Sequence, residues 1–239
     1  MRRILTLSTI AIVLGLAGPA AAQSELLQWS GDAAQWSGSI AQGQTLRVQG
    51  VSGSIRATNS EDDWIHLEAH RAGRADTPVE VVQDRRGVTI CAGECGGANR
   101  GRDRRDRYDN YDDLRVDFVV RVPAGIRFVG GSVSGDVEVE GVRSEMQLST
   151  VSGDVMLQMT GYATHANTVS GNVIVDMPSG ANAEISFNTV SGRVSSDFPV
   201  TLQGRDSDRR ARGSFRASIG NGGPDLSINT VSGDVRLKR

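Results

Sequence analysis

One short phrase recurs along the chain: valine, serine, glycine, a polar residue, then an aliphatic one. It reads Val51-Ser52-Gly53-Ser54-Ile55, Val133-Ser134-Gly135-Asp136-Val137 and Val151-Ser152-Gly153-Asp154-Val155. It returns as Val169-Ser170-Gly171-Asn172-Val173, Val190-Ser191-Gly192-Arg193-Val194 and Val231-Ser232-Gly233-Asp234-Val235. Successive valines lie 82, 18, 18, 21 and 41 residues apart. With 41 counted as two turns and 82 as four, one period of about 18–21 residues covers most of the chain. Repeats of that length build architectures in which each unit buries its apolar face only against its neighbours. The expected fold is all-β: a single-domain β-solenoid, β-helix-like, with about 7–9 turns.

The residues around the phrase support strands on both sides of it. With the valine as position zero, positions −5 and −3 hold Met146 and Leu148, Ile185 and Phe187, or Leu226 and Ile228. Positions +4 and +6 hold Val137 and Val139, Val155 and Leu157, Val173 and Val175, or Val235 and Leu237. A period of two is that of a strand with one buried face. Each unit thus reads as strand, Ser-Gly corner, strand, with the valine in the core. Thr150, Thr168, Thr189 and Thr230, with Ser132, occupy position −1 and suggest a hydroxyl ladder beside the corner. The corner glycines are Gly53, Gly135, Gly153, Gly171, Gly192 and Gly233. An ordinary residue loses about 1–2 kcal/mol on entering the left-handed region and glycine does not. Either the corner needs positive φ, or stacked backbones approach too closely for a Cβ.

Outside the phrases the pattern is less regular. Residues 1–22 read as a secretory signal peptide: basic Met1-Arg2-Arg3, an apolar run from Ile4 to Leu16, and small Ala20-Ala21-Ala22 before the expected cut. The run is short for a transmembrane helix, no cysteine follows Leu16-Ala17-Gly18, and Arg236-Leu237-Lys238-Arg239 gives no apolar tail. The expectation is an exported protein, periplasmic or secreted and extracellular, with no transmembrane segment once the signal is removed. Its domain runs over 23–239, with irregular rungs over 45–122 and regular repeats over 123–239. Trp29 and Trp36 are expected to cover an open end of the stack. Ile65, Leu67 and Ala69 read as a strand, as do Leu114, Val116, Phe118, Val120 and Val122. Val79–Val82 and Val88–Cys91 read as a hairpin about Asp84-Arg85-Arg86-Gly87. Two charged stretches, 96–113 and 206–213, read as exposed loops, the first without structure of its own. Loss of Arg2 and Arg3 with the signal moves the formal charge from −2 to −4. That balance argues against nucleic acid as a partner.

The Val-Ser-Gly-Asp-Val rungs, Val122-Pro123-Ala124-Gly125, Gly220-Asn221-Gly222-Gly223 and the ending Leu226 to Leu237 together resemble the putative adhesin family of bacterial secreted β-solenoid domains, domain of unknown function 4097. The likeness is strongest over residues 114–239 and continues back to about 45. It implies a β-solenoid of the bacterial cell envelope without an established enzymatic activity. Cys91, Cys95 and the loop after them depart from what the family describes.

Chemistry-bearing residues are few. Cys91 and Cys95 read as a disulfide, as an exported chain permits. Four residues apart they meet only if the chain turns between them, because bridged Cα atoms lie within about 7 Å. Asp109-Asn110-Tyr111-Asp112-Asp113 has oxygen ligands for calcium but neither the glycine nor the distal glutamate of an EF-hand loop. Arg100, Arg102, Arg104, Arg105 and Arg107 are offset by interleaved aspartates. Asp136, Asp154 and Asp234 at position +3 are candidate contacts for a sugar or cation, in a row that Arg193 interrupts, although carboxylates are also ordinary turn residues. His66 and His70 stand about 13 Å apart at strand rise, too far to share a metal, and His165 faces outward. No nucleophile elbow, zinc-protease helix or phosphate loop is present. No catalytic residue, metal ligand or cofactor is therefore expected. The function expected is that of a non-enzymatic, adhesin-like structural or binding module, with an envelope protein or a glycan as partner. The alternatives are a periplasmic sensor or scaffold gripping its partner on the solenoid flank, and a carbohydrate-active β-helix enzyme, which would need facing carboxylates about 5–10 Å apart.

Overall fold

The computed structural model describes residues 22–72, 78–93, 95, 115–203 and 214–239. Residues 1–21 of the expected signal peptide, the whole 96–113 stretch with its calcium-like cluster, and the 206–213 stretch lie outside the described residues.

Each phrase joins a strand of one sheet to a strand of a second. Numbered in chain order, the pairs are β3 (Thr45–Gln49) with β4 (Ile55–Asn59), β9 (Arg127–Ser134) with β10 (Val137–Glu140), and β11 (Glu145–Ser152) with β12 (Val155–Gln158). Then follow β13 (Thr164–Ser170) with β14 (Val173–Asp176), β15 (Ala183–Ser191) with β16 (Val194–Ser196), and β19 (Asp225–Ser232) with β20 (Val235–Lys238). A seventh rung, β7 (Gly87–Ala92) with β8 (Arg115–Val122), lacks the phrase. Neighbouring rungs pair in parallel and in register, Val137 beside Val155 and Val155 beside Val173. The seven rungs match the lower end of the expected number.

Their stacking order departs from their chain order. The first sheet runs β7-β3-β9-β11-β13-β19-β15 and the second β8-β4-β10-β12-β14-β20-β16. The first two phrases, 82 residues apart, are direct neighbours, with Gln49 opposite Gly131 and Ile55 opposite Val137. The last rung slots between β13/β14 and β15/β16, with Thr164 and Ile185 both beside Leu226. The long intervals therefore hold no missing turns of the regular stack. They hold a rung that docks on the far side, and the caps.

The caps are antiparallel. β6 (Val79–Asp84) and β1 (Gln23–Leu26) extend the first sheet beyond β7, while β5 (Trp64–Ala72) and β2 (Ala33–Ser39) extend the second beyond β8. At the other end β18 (Ser214–Ile219) and β17 (Thr201–Gln203) continue the first sheet past β15. Reversed strands end a parallel stack without another repeat. The expected hairpin is β6–β7, its two-residue turn at Arg85 and Arg86. Trp29 and Trp36 pack against the core at the β2/β5 end, as expected. At the opposite end Phe187 stacks on Phe215, ring centroids 4.8 Å apart.

The core lies between the sheets. Positions −5, −3, +4 and +6 are buried in the regular rungs, apart from half-buried Val194 and Ser196 in β16, with Phe118, Phe128 and Phe187 the bulkiest fully buried side chains. The valine of the phrase does not join them, contrary to the sequence reading: Val133, Val151, Val169, Val190 and Val231 are 44–81% exposed. The strand alternation itself explains this. With −5, −3 and −1 facing in, −2 and zero must face out.

The corner glycines stack in a column, and close approach is what requires them. A Cβ on Gly135 would lie 2.0 Å from the Gly53 carbonyl oxygen, one on Gly153 2.3 Å from that of Gly135, and one on Gly171 1.9 Å from that of Gly153. The column continues through Gly233 to Gly192. Gly53 has φ +118° in addition. The −1 hydroxyls brace the same column: Ser132 donates to the Gly53 carbonyl (3.0 Å), Thr150 to that of Gly135 (2.9 Å) and Thr168 to that of Gly153 (3.2 Å).

Candidate functional site

The outward positions of the first sheet form two parallel rows. One holds, in stacking order, Gln49, Gly131, Ser149, Asn167, Asn229 and Asn188. The other holds the phrase valines. Asn188 donates through Nδ2 to Asn229 Oδ1 (2.7 Å), and Asn229 donates to Asn167 Oδ1 (2.8 Å), so the amides link across three rungs. A shallow trough follows these rows. One part, about 390 Å³, is lined by Gln49, Val51, Cys91, Gly131, Val133 and Ser149; the other, about 470 Å³, runs from Ser149 past Asn167, Val169, Asn229 and Val231 to Asn188 and Val190. The buried hydroxyls of Thr189 and Thr230 border the second part and have no hydrogen-bond partner.

The +3 row is a second ladder, on the corner. Asp136 Oδ1 accepts the Asp154 N–H (2.8 Å), Asp154 Oδ1 that of Asn172 (2.7 Å), Asn172 Oδ1 that of Asp234 (3.0 Å), and Asp234 Oδ1 that of Arg193 (2.9 Å). Arg193 interrupts the row in sequence but ends it in space, because the last rung is inserted. There its Nη2 also meets Asp234 Oδ2 at 3.3 Å. The backbone hydrogen bond from Arg193 holds the Asp234 carboxyl below its ordinary range. The candidate residues Asp136, Asp154 and Asp234 are thus brought into one row, with one oxygen of each committed to the next backbone.

Asp117 extends this row although no phrase announces it. It sits at +3 of the seventh rung, and its Oδ1 accepts from the Ser54 N–H (2.7 Å) and Oγ (2.8 Å). Burial pushes its carboxyl up, but the two Ser54 bonds and Arg115 together bring it below the ordinary value. The signal was available, since Phe118 and Val120 align with Ile55 and Ala57. The Val-Ser-Gly itself is replaced by Leu114-Arg115-Val116, with Val116 at the glycine position.

His66 acquires partners that the sequence reading did not foresee. Its Nδ1 lies 3.1 Å from Ser37 Oγ and its Nε2 3.0 Å from Asp62 Oδ2. Asp62 also accepts from Ser60 Oγ (2.8 Å) and the Trp64 N–H (3.1 Å). Serine, histidine and aspartate here have the composition of a hydrolase triad but the opposite ring polarity, with the hydroxyl on Nδ1. The contacts tie the β4–β5 turn to β2, and the pairing of Ser37 with His66 is a long-range antiparallel register that no local pattern encodes. His165 faces outward beside the amide row, as expected. Cys91 and Cys95 form a disulfide, their Cα atoms 5.3 Å apart, with Gly93 at φ +95° between them. Among the described residues no three His, Cys, Asp or Glu side chains are placed to hold a metal ion.

Stacked two-sheet rungs, a glycine column at the corner and antiparallel caps define a β-solenoid. Residues 131–238, which hold five of these rungs, match the family model Toastrack DUF4097. The fold extends further. A crystal structure of a putative cell adhesion protein from Clostridium sporogenes ATCC 15579 aligns with a TM-score of 0.57 at 11% identity, covering 92% of this chain and 99% of that one. A putative adhesin from Bacteroides fragilis NCTC 9343 aligns over 87% of this chain and 98% of its own, at 10% identity and a TM-score of 0.32. No curated protein matches the sequence.

Proposed function

We propose that this protein is exported to the bacterial cell envelope and acts there as a non-enzymatic, adhesin-like binding module whose contact surface is the trough on the first sheet. The trough carries the reading: it is the outward face of the repeat itself, where exposed apolar side chains line up beside hydrogen-bonding ones. Export is supported by the signal-peptide pattern and by the Cys91–Cys95 bridge, which suits an oxidising compartment.

Fractionation of expressing cells tests this, with N-terminal sequencing and protease treatment of intact cells. The expected result is a chain beginning at Gln23 outside the cytoplasm and accessible to protease. A cytoplasmic chain retaining Met1 overturns export, and a chain confined to the periplasm overturns adhesion to other surfaces.

A further inference from the structure

We propose that the trough binds an uncharged, extended, β-1,4-linked glycan, with one sugar facing each rung. The proposal rests on the reading of the trough as the contact surface and names its ligand.

Spacing decides between linear ligands. Adjacent rungs are about 4.8 Å apart, and a β-1,4-linked pyranose chain advances by a closely similar step per sugar. An extended peptide advances about 3.3 Å per residue, so about seven residues would pass five rung steps and lose register with the rows. Nucleic acid would demand cations for its phosphates. In a chain with 23% charged residues, no Asp, Glu, Lys or Arg lines either part of the trough among the described residues. Among the described residues a charged polysaccharide finds no partner there either.

The two rows supply what a pyranose presents. Its C–H face suits the valine methyl groups, and its hydroxyl edge suits amides that both donate and accept. Each bond of the Asn188–Asn229–Asn167 ladder uses one of two amide hydrogens, leaving the other for a ligand. The ladder also fixes the amide orientation in advance, lowering the ordering cost of binding. Size argues against a second copy of the chain. Five rung steps and two rows about 7 Å apart make a strip of roughly 170 Å², well short of the roughly 800 Å² per partner of a stable protein interface. A strip that long and that narrow fits a chain-like ligand.

Calorimetric titration of the purified protein with cellohexaose and chitohexaose provides the test, with laminarihexaose and an uncharged Thr-Val hexapeptide as comparisons. The expected result is binding of both β-1,4 hexamers, about tenfold or more tighter than of their trimers because contacts add along one ligand. Val169→Glu and Asn229→Leu are each expected to weaken it about tenfold or more with circular dichroism unchanged. Asp154→Asn, on the corner, should leave it unchanged. No heat with either β-1,4 hexamer at millimolar concentration, affinity independent of length, equal binding of laminarihexaose or peptide, or unaltered affinity in both trough variants would each overturn the proposal. Adsorption to isolated envelopes separates the two readings. If it is lost in the trough variants while every glycan fails, the ligand is wrong and the contact surface stands; if the variants adsorb normally, both fall.

Discussion

A methyl group on Gly153 would sit 2.3 Å from the Gly135 carbonyl oxygen and 2.7 Å from its carbon, and both are backbone held in a ladder on either side. Nothing flexible can yield, so Gly153→Ala is expected to cost about 3 kcal/mol, the upper end of overpacking penalties, as measured by urea unfolding. The column also explains its own exception. Gly53 presses on the Val116 carbonyl, and beyond Val116 comes antiparallel β5 rather than another corner. A side chain is admitted only where the column ends. A second residue-scale prediction concerns Asp62, whose carboxyl is lowered from 3.8 to about 2, chiefly by the hydrogen bond with His66. Because the folded value is the lower one, these contacts favour the fold above about pH 4 and their contribution is lost as pH falls through about 2. Carboxyl titration by NMR should give that midpoint in the wild type and a higher one in His66→Ala, still below the ordinary value because the Ser60 and Trp64 hydrogen bonds remain.

The element that repeats is a corner with two ladders, and the +3 carboxylates belong to its construction. Asp154 takes both the backbone N–H and the side-chain Nδ2 of Asn172. Asp154→Ala strands that amide and is expected to cost about 1–2 kcal/mol, whereas Asp154→Asn keeps an acceptor and should cost less than half as much. Thermal unfolding with calcium and with chelator should give the same midpoint for both the wild type and Asp154→Asn; a calcium-dependent rise confined to the wild type would point to cation binding instead. Much of this element was legible in the sequence. Alternation at −5, −3, +4 and +6 identified both strands, and threonine at −1 announced the hydroxyl ladder. The same alternation should have put the valine outside, but its recurrence beside the corner suggested a core role. Asp117 was missed because its rung has no glycine to mark it. The disulfide was legible because two cysteines so close together, in a chain that reads as exported, have few other uses.

At the scale of the molecule, the order of the rungs was not legible. The rungs are near copies, so Leu226 could accept Thr164 or Ile185 as neighbour on local grounds alone, and it takes both. No local pattern within a rung chooses between them. Cutting the chain after Gly223 removes β19 and β20 and leaves β13 and β15 without the strand that joins them. Loss of two strands from the middle of both sheets is expected to abolish the single cooperative unfolding transition, seen by circular dichroism as a broad melt. Removal of the amino-terminal β1, which pairs only with β6, should leave that transition in place.

The inserted last rung bears on how such a chain can mature. A solenoid stacked in chain order can grow as it emerges, each repeat settling on the one before. Here β19 and β20 follow β15 and β16 in the chain yet stand between them and β13 and β14, so β13 and β15 can pair prematurely before the intervening strands arrive. The correct stack then forms only if that premature seam stays open, or opens again, when residues 225–238 arrive. A fragment that stops short of residue 225 therefore lacks the two strands that hold β13 and β15 apart.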